Sequence, residues 1–151
     1  MTHTEKSEAN LPVERYGGFY EAQGLTVRDI APGDVVIELN DPRDDQRGGG
    51  GTAALNGGVI AYMFDGAMGA AIASLIIDRF RLDSTDDQAF GEATISLTIN
   101  YVKPAMGTHF EAHGHAVRAG RSIAFADAKI LDEHGDVCAT ASGVWRIFLR
   151  S

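Results

Sequence analysis

The stretch from Asn56 to Ile77 constrains this chain more than any other. It is the longest apolar run in the sequence, too long for a strand, and it carries one charge, Asp65. Gly66, Gly69, Ala70 and Ala73 recur at helical spacing and form a ridge without bulky side chains. Tyr62, Met63, Phe64, Met68, Ile72, Leu75 and Ile76 cover most of the remaining circumference. A helix apolar all round is a buried helix. The pattern predicts one over roughly Ala53–Asp78, with Asn56 able to cap it by accepting a first-turn N–H. Tyr62, Phe64 and Met68 read as core.

Asp65 lies in the middle of this run. Desolvating a lone carboxylate is costly, so it must be paired, hydrogen-bonded or held neutral. Two readings stand: a buried Asp that bonds nearby backbone, or a general base or nucleophile tuned by a dry environment. Nine residues separate Asn56 from Asp65, which is ~13 Å of rise and half a rotation. The free amides at the helix start and the carboxylate therefore point to opposite faces. If both serve one reaction, two copies of the chain must bring them together.

Composition narrows the classes. The chain has 151 residues, which suits one domain, and a formal charge of −8, which argues against nucleic-acid binding. One cysteine, Cys138, excludes an intrachain disulfide and a cysteine-rich metal site; in its strand pattern it reads as a buried structural thiol. Nothing reads as a signal peptide. The central Asp, the glycines and the amphipathic strands that follow favour a core helix over a membrane span, and a cytoplasmic location is the expectation.

Residues 1–10 read as a polar tail, and residues 1–23 as tail plus a short edge segment ahead of a domain over 24–151. Gly17-Gly18 interrupts any longer helix and leaves a short helical turn that packs aromatics at the domain edge. Leu25–Ile30 and Val35–Leu39 alternate as a hairpin around Ala31-Pro32-Gly33-Asp34. Gly48-Gly49-Gly50-Gly51 lacks the Gly-Lys-Ser/Thr of a phosphate cradle and reads as an exposed loop. After a charged loop, Ala93–Val102, Thr108–Val117, Ile123–Leu131 and Val137–Leu149 alternate as four strands joined by turns. The consistent architecture is α+β: an antiparallel sheet of five to six strands wrapped around one long central helix.

Three segments then carry a resemblance. Asn56-Gly57-Gly58 with Asp65, Ile99-Asn100-Tyr101-Val102-Lys103-Pro104-Ala105, and Arg118-Ala119-Gly120-Arg121-Ser122-Ile123-Ala124-Phe125, in that order, resemble the PaaI-like acyl-CoA thioesterases of the hotdog-fold superfamily. The resemblance covers about residues 24–148. It implies a hotdog fold, a homodimer or a dimer of dimers, and metal-free hydrolysis of an acyl- or aryl-CoA, with coenzyme A entering only as part of the substrate. It places the catalytic carboxylate on Asp65, the oxyanion amide on Gly57 or Gly58, and a water-positioning hydroxyl on Thr94. These groups come from both subunits. For the CoA moiety it points to Tyr101, Lys103, Pro104 and the rest of the segment to Met106, and to Arg118, Gly120, Arg121 and Ser122. Lys103, Arg118 and Arg121 have the charge to hold phosphates.

Two departures qualify it. Asn56 replaces the family's usual His, and Gly50 stands where the family commonly has an Asn reaching toward the thioester. Losing one oxyanion donor costs about 3 kcal/mol in the transition state. The alternative is therefore a noncatalytic acyl-CoA-binding or regulatory hotdog domain. A hotdog dehydratase ranks last, because the matching helix has no His. His109, His113 and His115 share one strand face with Glu111, read as solvated rather than metal-binding, and Arg47 is a further candidate for phosphate contact.

Overall fold

The computed structural model describes residues 17–86 and 88–150, so the tail reading lies outside the described residues for 1–16. A short helix α1 (Gly17–Ala22) leads into β1 (Leu25–Ala31) and β2 (Asp34–Asn40), then a loop and the long helix α2 (Gly57–Arg79). Four strands follow: β3 (Phe90–Tyr101), β4 (His109–Ala119), β5 (Ile123–Leu131) and β6 (Val137–Leu149). They form one six-stranded antiparallel sheet in the order β1-β2-β4-β5-β6-β3. The sheet wraps α2, as the alternating pattern predicts.

Small residues let the sheet approach the helix. Ala112, Ala116, Ala124, Ala126 and Ala128 line the inner face of β4 and β5 and are buried. Gly114 touches the helix itself: a Cβ there would stand 2.3 Å from the carbonyl oxygen of Ala67. The small positions of α2 serve several contacts rather than one ridge. Gly66 makes room for the ring of Tyr20 and for Ile37, while Gly69 faces Glu92 and Trp145. Met63, Phe64, Met68, Ile72 and Ile76 are sealed in the core. α2 is long and apolar enough to cross a membrane, yet the sheet buries most of it, as befits a core helix.

The helix begins at Gly57, not near Ala53. Leu55 donates its amide to the Ala105 carbonyl and Asn56 donates to the Gln46 carbonyl. Those bonds hold residues 55 and 56 extended, so the helix starts only after Asn56. The Asn56 side chain caps it, accepting from the Gly58 amide at 2.7 Å. Cys138 is buried, and burial pushes its thiol pKa up. That agrees with a structural thiol.

Candidate active site

Asp65 projects from the third turn of α2 toward β3. It is half-buried rather than enclosed. Its Oδ1 accepts a 2.7 Å hydrogen bond from the Thr94 hydroxyl, which answers the need for a partner. A bulge makes this meeting possible. The β3–β6 register shifts between Thr94 and Ser96, leaving Ile95 unpaired and 57% exposed. Glu92 and Thr94 face the helix before the shift; Leu97, Ile99 and Tyr101 take the inner face after it. A strictly alternating strand would put Thr94 and Tyr101, seven residues apart, on opposite faces.

Tyr101 marks the second half of the site. Its hydroxyl donates to the Gly57 carbonyl at 2.8 Å, so the end of β3 is tied to the start of α2. The two glycine amides differ there. Gly58 N–H is taken by the Asn56 cap, whereas Gly57 N–H has no partner among the described residues. Gly57 is therefore the open donor at the positive end of the helix dipole. Within one chain it is eight residues, or ~12 Å of rise, from Asp65. Gly50 lies in a loop whose four glycines all have positive φ, its own being 60°, with open space where a side chain would stand.

The residues expected at the CoA moiety divide into two groups. Tyr101, Lys103 and Pro104 lie at the helix N-terminal end. Arg118, Gly120, Arg121 and Ser122 lie at the other end, where Arg79 donates to the Ala119 carbonyl. The 23 residues of α2 separate the groups by ~33 Å. One chain cannot bring both to one ligand phosphate. Lys103 is also engaged: it pairs with Asp136 at 3.0 Å and with buried Asp132 at 3.3 Å, and these partners raise its pKa. At the far end, sequence reasoning missed two members. Arg79 and Arg146, the latter bonding the Ser122 carbonyl, join Arg118 and Arg121 around the β4–β5 turn. Their signal was the end of a helix and a strand register, neither of them a motif.

Two further readings change. Tyr62 is not sealed core: it lines a cavity at the helix start with Phe19, Val59 and Asn56. The histidine face of β4 is knitted rather than merely solvated. Glu111 sits 3.0 Å from His109 Nε2 and 3.3 Å from His113 Nε2, Arg28 reaches it at 3.1 Å, and its pKa is lowered, chiefly by the His109 hydrogen bond. Among the described residues no group of three or more His, Cys, Asp or Glu side chains is arranged to hold a metal. Sequence reasoning also missed Glu92, whose carboxylate reaches the helix at Gly69, one turn beyond Asp65.

Comparison with known proteins places this geometry. The sequence profile of the thioesterase superfamily matches residues 53–139, from the loop ahead of α2 into β6. The medium/long-chain acyl-CoA thioesterase YigI of Escherichia coli K12 is 29% identical over 96 residues, 62% of each chain. The match therefore spans less than two thirds of that relative. A thioesterase family protein from Silicibacter pomeroyi superposes with a TM-score of 0.77 at 18% identity, covering 95% of this chain and 98% of that one. The PaaI protein of the E. coli phenylacetic acid degradation operon superposes with a TM-score of 0.74 at 15% identity, covering 96% and 95%. The shared fold is the hotdog fold that the family resemblance implied.

Proposed function

Because this chain belongs to the thioesterase superfamily across residues 53–139, we propose that it hydrolyses an acyl-CoA or aryl-CoA thioester in sites shared by two subunits. The observation that carries the proposal is the split site: a hydroxyl-anchored Asp65 in mid-helix and a Gly57 amide at the helix start that has no partner among the described residues. Thr94 holds one oxygen of Asp65, leaving the other to meet water. In the general-base route Asp65 takes a proton from water as its oxygen bonds the thioester carbon. The carbonyl oxygen gains charge, which Gly57 N–H of the other subunit receives. Collapse then breaks the C–S bond, and the CoA thiolate leaves and takes up a proton. In the nucleophilic route the carboxylate itself attacks and the acyl-enzyme is hydrolysed. One turnover in 18O-water puts label in the Asp65 carboxylate only by the second route, when water attacks the aspartyl carbon of the mixed anhydride.

Two features support the subunit pairing. β3 ends the sheet order with one edge unpaired in the described chain. Thr94 beside Asp65 and Tyr101 beside Gly57 are seven residues apart on β3. An antiparallel pairing of two β3 strands centred on Thr98 keeps Leu97 opposite Ile99 on the inner face, and the bulge at Ile95 then brings Thr94 of each beside Tyr101 of the other. That brings each carboxylate toward the other chain's helix start. Arg118 and Arg121 make no ion pair among the described residues and remain open to CoA phosphates from a neighbouring subunit.

The second reading, a binding domain without turnover, is favoured by the Asn56 side-chain oxygen being spent on the cap and by the bare Gly50. A thiol-release assay on an acyl-CoA panel separates the two. Hydrolysis by the parent protein that falls at least ~100-fold in Asp65→Asn establishes the enzyme. Tight binding without turnover in either protein establishes the binding domain.

A further inference from the structure

We propose that the cavity at the start of α2 selects the acyl group, and that it takes one with an apolar or aromatic body and a distal carboxylate. The inference rests on the thioesterase reading above and goes beyond it to the substrate. The cavity has a volume of about 430 Å³ and opens beside Asn56 and Gly58, next to the amide assigned to the carbonyl oxygen. An acyl group whose carbonyl rests on Gly57 N–H would meet this cavity through Asn56 and Gly58, the residues on either side of that amide, which line it.

Its walls are aromatic, and in its polar part donors outnumber acceptors: the one carboxylate in the lining, Asp45, already accepts from Arg43 through Oδ1. Phe19 stands edge-on to Tyr62, with ring centroids 4.8 Å apart and planes at 81°, and is itself 60% exposed. Val59 completes the apolar side. Three donors around the cavity lack partners among the described residues: the Asn56 side-chain NH2, the Tyr62 hydroxyl and Nη2 of Arg43. Burial, and then the charge of Asp65, raise the Tyr62 pKa, so its phenol stays protonated and remains a donor.

Arg43 is held in position at the polar end. Its Nε donates to Asp45 at 3.0 Å and its Nη1 to the Ala22 carbonyl at 2.8 Å, while its backbone amide bonds buried Gln46. Gln46 spends its own NH2 on Gln23, so it offers the cavity nothing. A guanidinium fixed at two nitrogens with the third free recognises an oxyanion at low ordering cost. A plain alkyl chain offers those donors no acceptor, whereas a distal carboxylate offers one to each.

The test compares two thioesters of equal chain length, adipoyl-CoA and hexanoyl-CoA. The parent protein is expected to favour adipoyl-CoA by roughly tenfold in kcat/KM. Arg43→Met should bring that ratio near one, and Arg43→Lys should keep part of it. A merely structural role for Arg43 would lower both rates together and leave the ratio unchanged, which overturns the proposal. So does a parent protein that favours hexanoyl-CoA. Binding of both thioesters to the Asp65→Asn protein reads the same selectivity without turnover. Failure of hydrolysis and failure of acyl selection are thereby seen separately.

Discussion

The bond between Thr94 and Asp65 has two separable consequences for the proposed catalysis. It fixes the carboxylate rotamer, and it withdraws one of the two oxygens from competition for substrate. Thr94→Ser keeps the hydroxyl and should retain most of kcat; Thr94→Val keeps the shape and should lower kcat ~10- to 100-fold with a smaller change in KM. Thiol-release kinetics on both variants check this, and equal losses in both would assign Thr94 to packing instead. Gly50 permits the opposite experiment. Its φ of 60° is a conformation Asn tolerates better than most residues, and nothing lies within 4 Å of the added Cβ. Gly50→Asn should therefore fold unchanged and raise kcat/KM several-fold by restoring a donor. At this scale the need of Asp65 for a partner was legible, because one charge in a long apolar run demands one. Which glycine amide stays open was not, since it depends on the direction of the Asn56 side chain.

Elements meet here by backbone approach as much as by side-chain packing. At Gly114 the strand lies so close to α2 that a methyl group would overlap the Ala67 carbonyl, and backbone on both sides cannot move as a side-chain tip can. Gly114→Ala should destabilise the protein by about 3 kcal/mol, near the upper end of overpacking costs, as read by the denaturation midpoint. Gly18, in α1 with open space around it and no left-handed φ, serves as contrast. The apolar periods revealed the elements well: β5 and β6 run over Ile123–Leu131 and Val137–Leu149, as their alternation predicts. Two features escaped. Tertiary hydrogen bonds from Leu55 and Asn56 delay the helix start, and the bulge at Ile95 reverses the facing of β3 midway. A bulge looks like ordinary alternation when its extra residue is itself apolar. Yet it lets one strand serve Asp65 at one point and Gly57 at another.

At the scale of the whole molecule, one chain carries both halves of the proposed site but holds them just over two turns of helix apart. The open edge of β3 is 12 residues long, with Ile95, Tyr101, Val102 and Met106 exposed on or just beyond it. A long apolar edge is a strong template for pairing with another strand. If pairing completes the site, breaking it must remove activity while the fold survives. Consecutive amides point to opposite sides of a strand, so of Leu97→Pro and Thr98→Pro one removes a bond from the β6 ladder and the other removes one from the outer edge. The edge variant should keep its circular dichroism and thermal transition, sediment at half the parent mass, and lose thiol release in proportion to its dissociation. Raising protein concentration should restore mass and activity together, because both report the same equilibrium. A folded edge variant that is monomeric and still fully active would place Gly57 and Asp65 in service of one chain, against the ~12 Å that α2 puts between them.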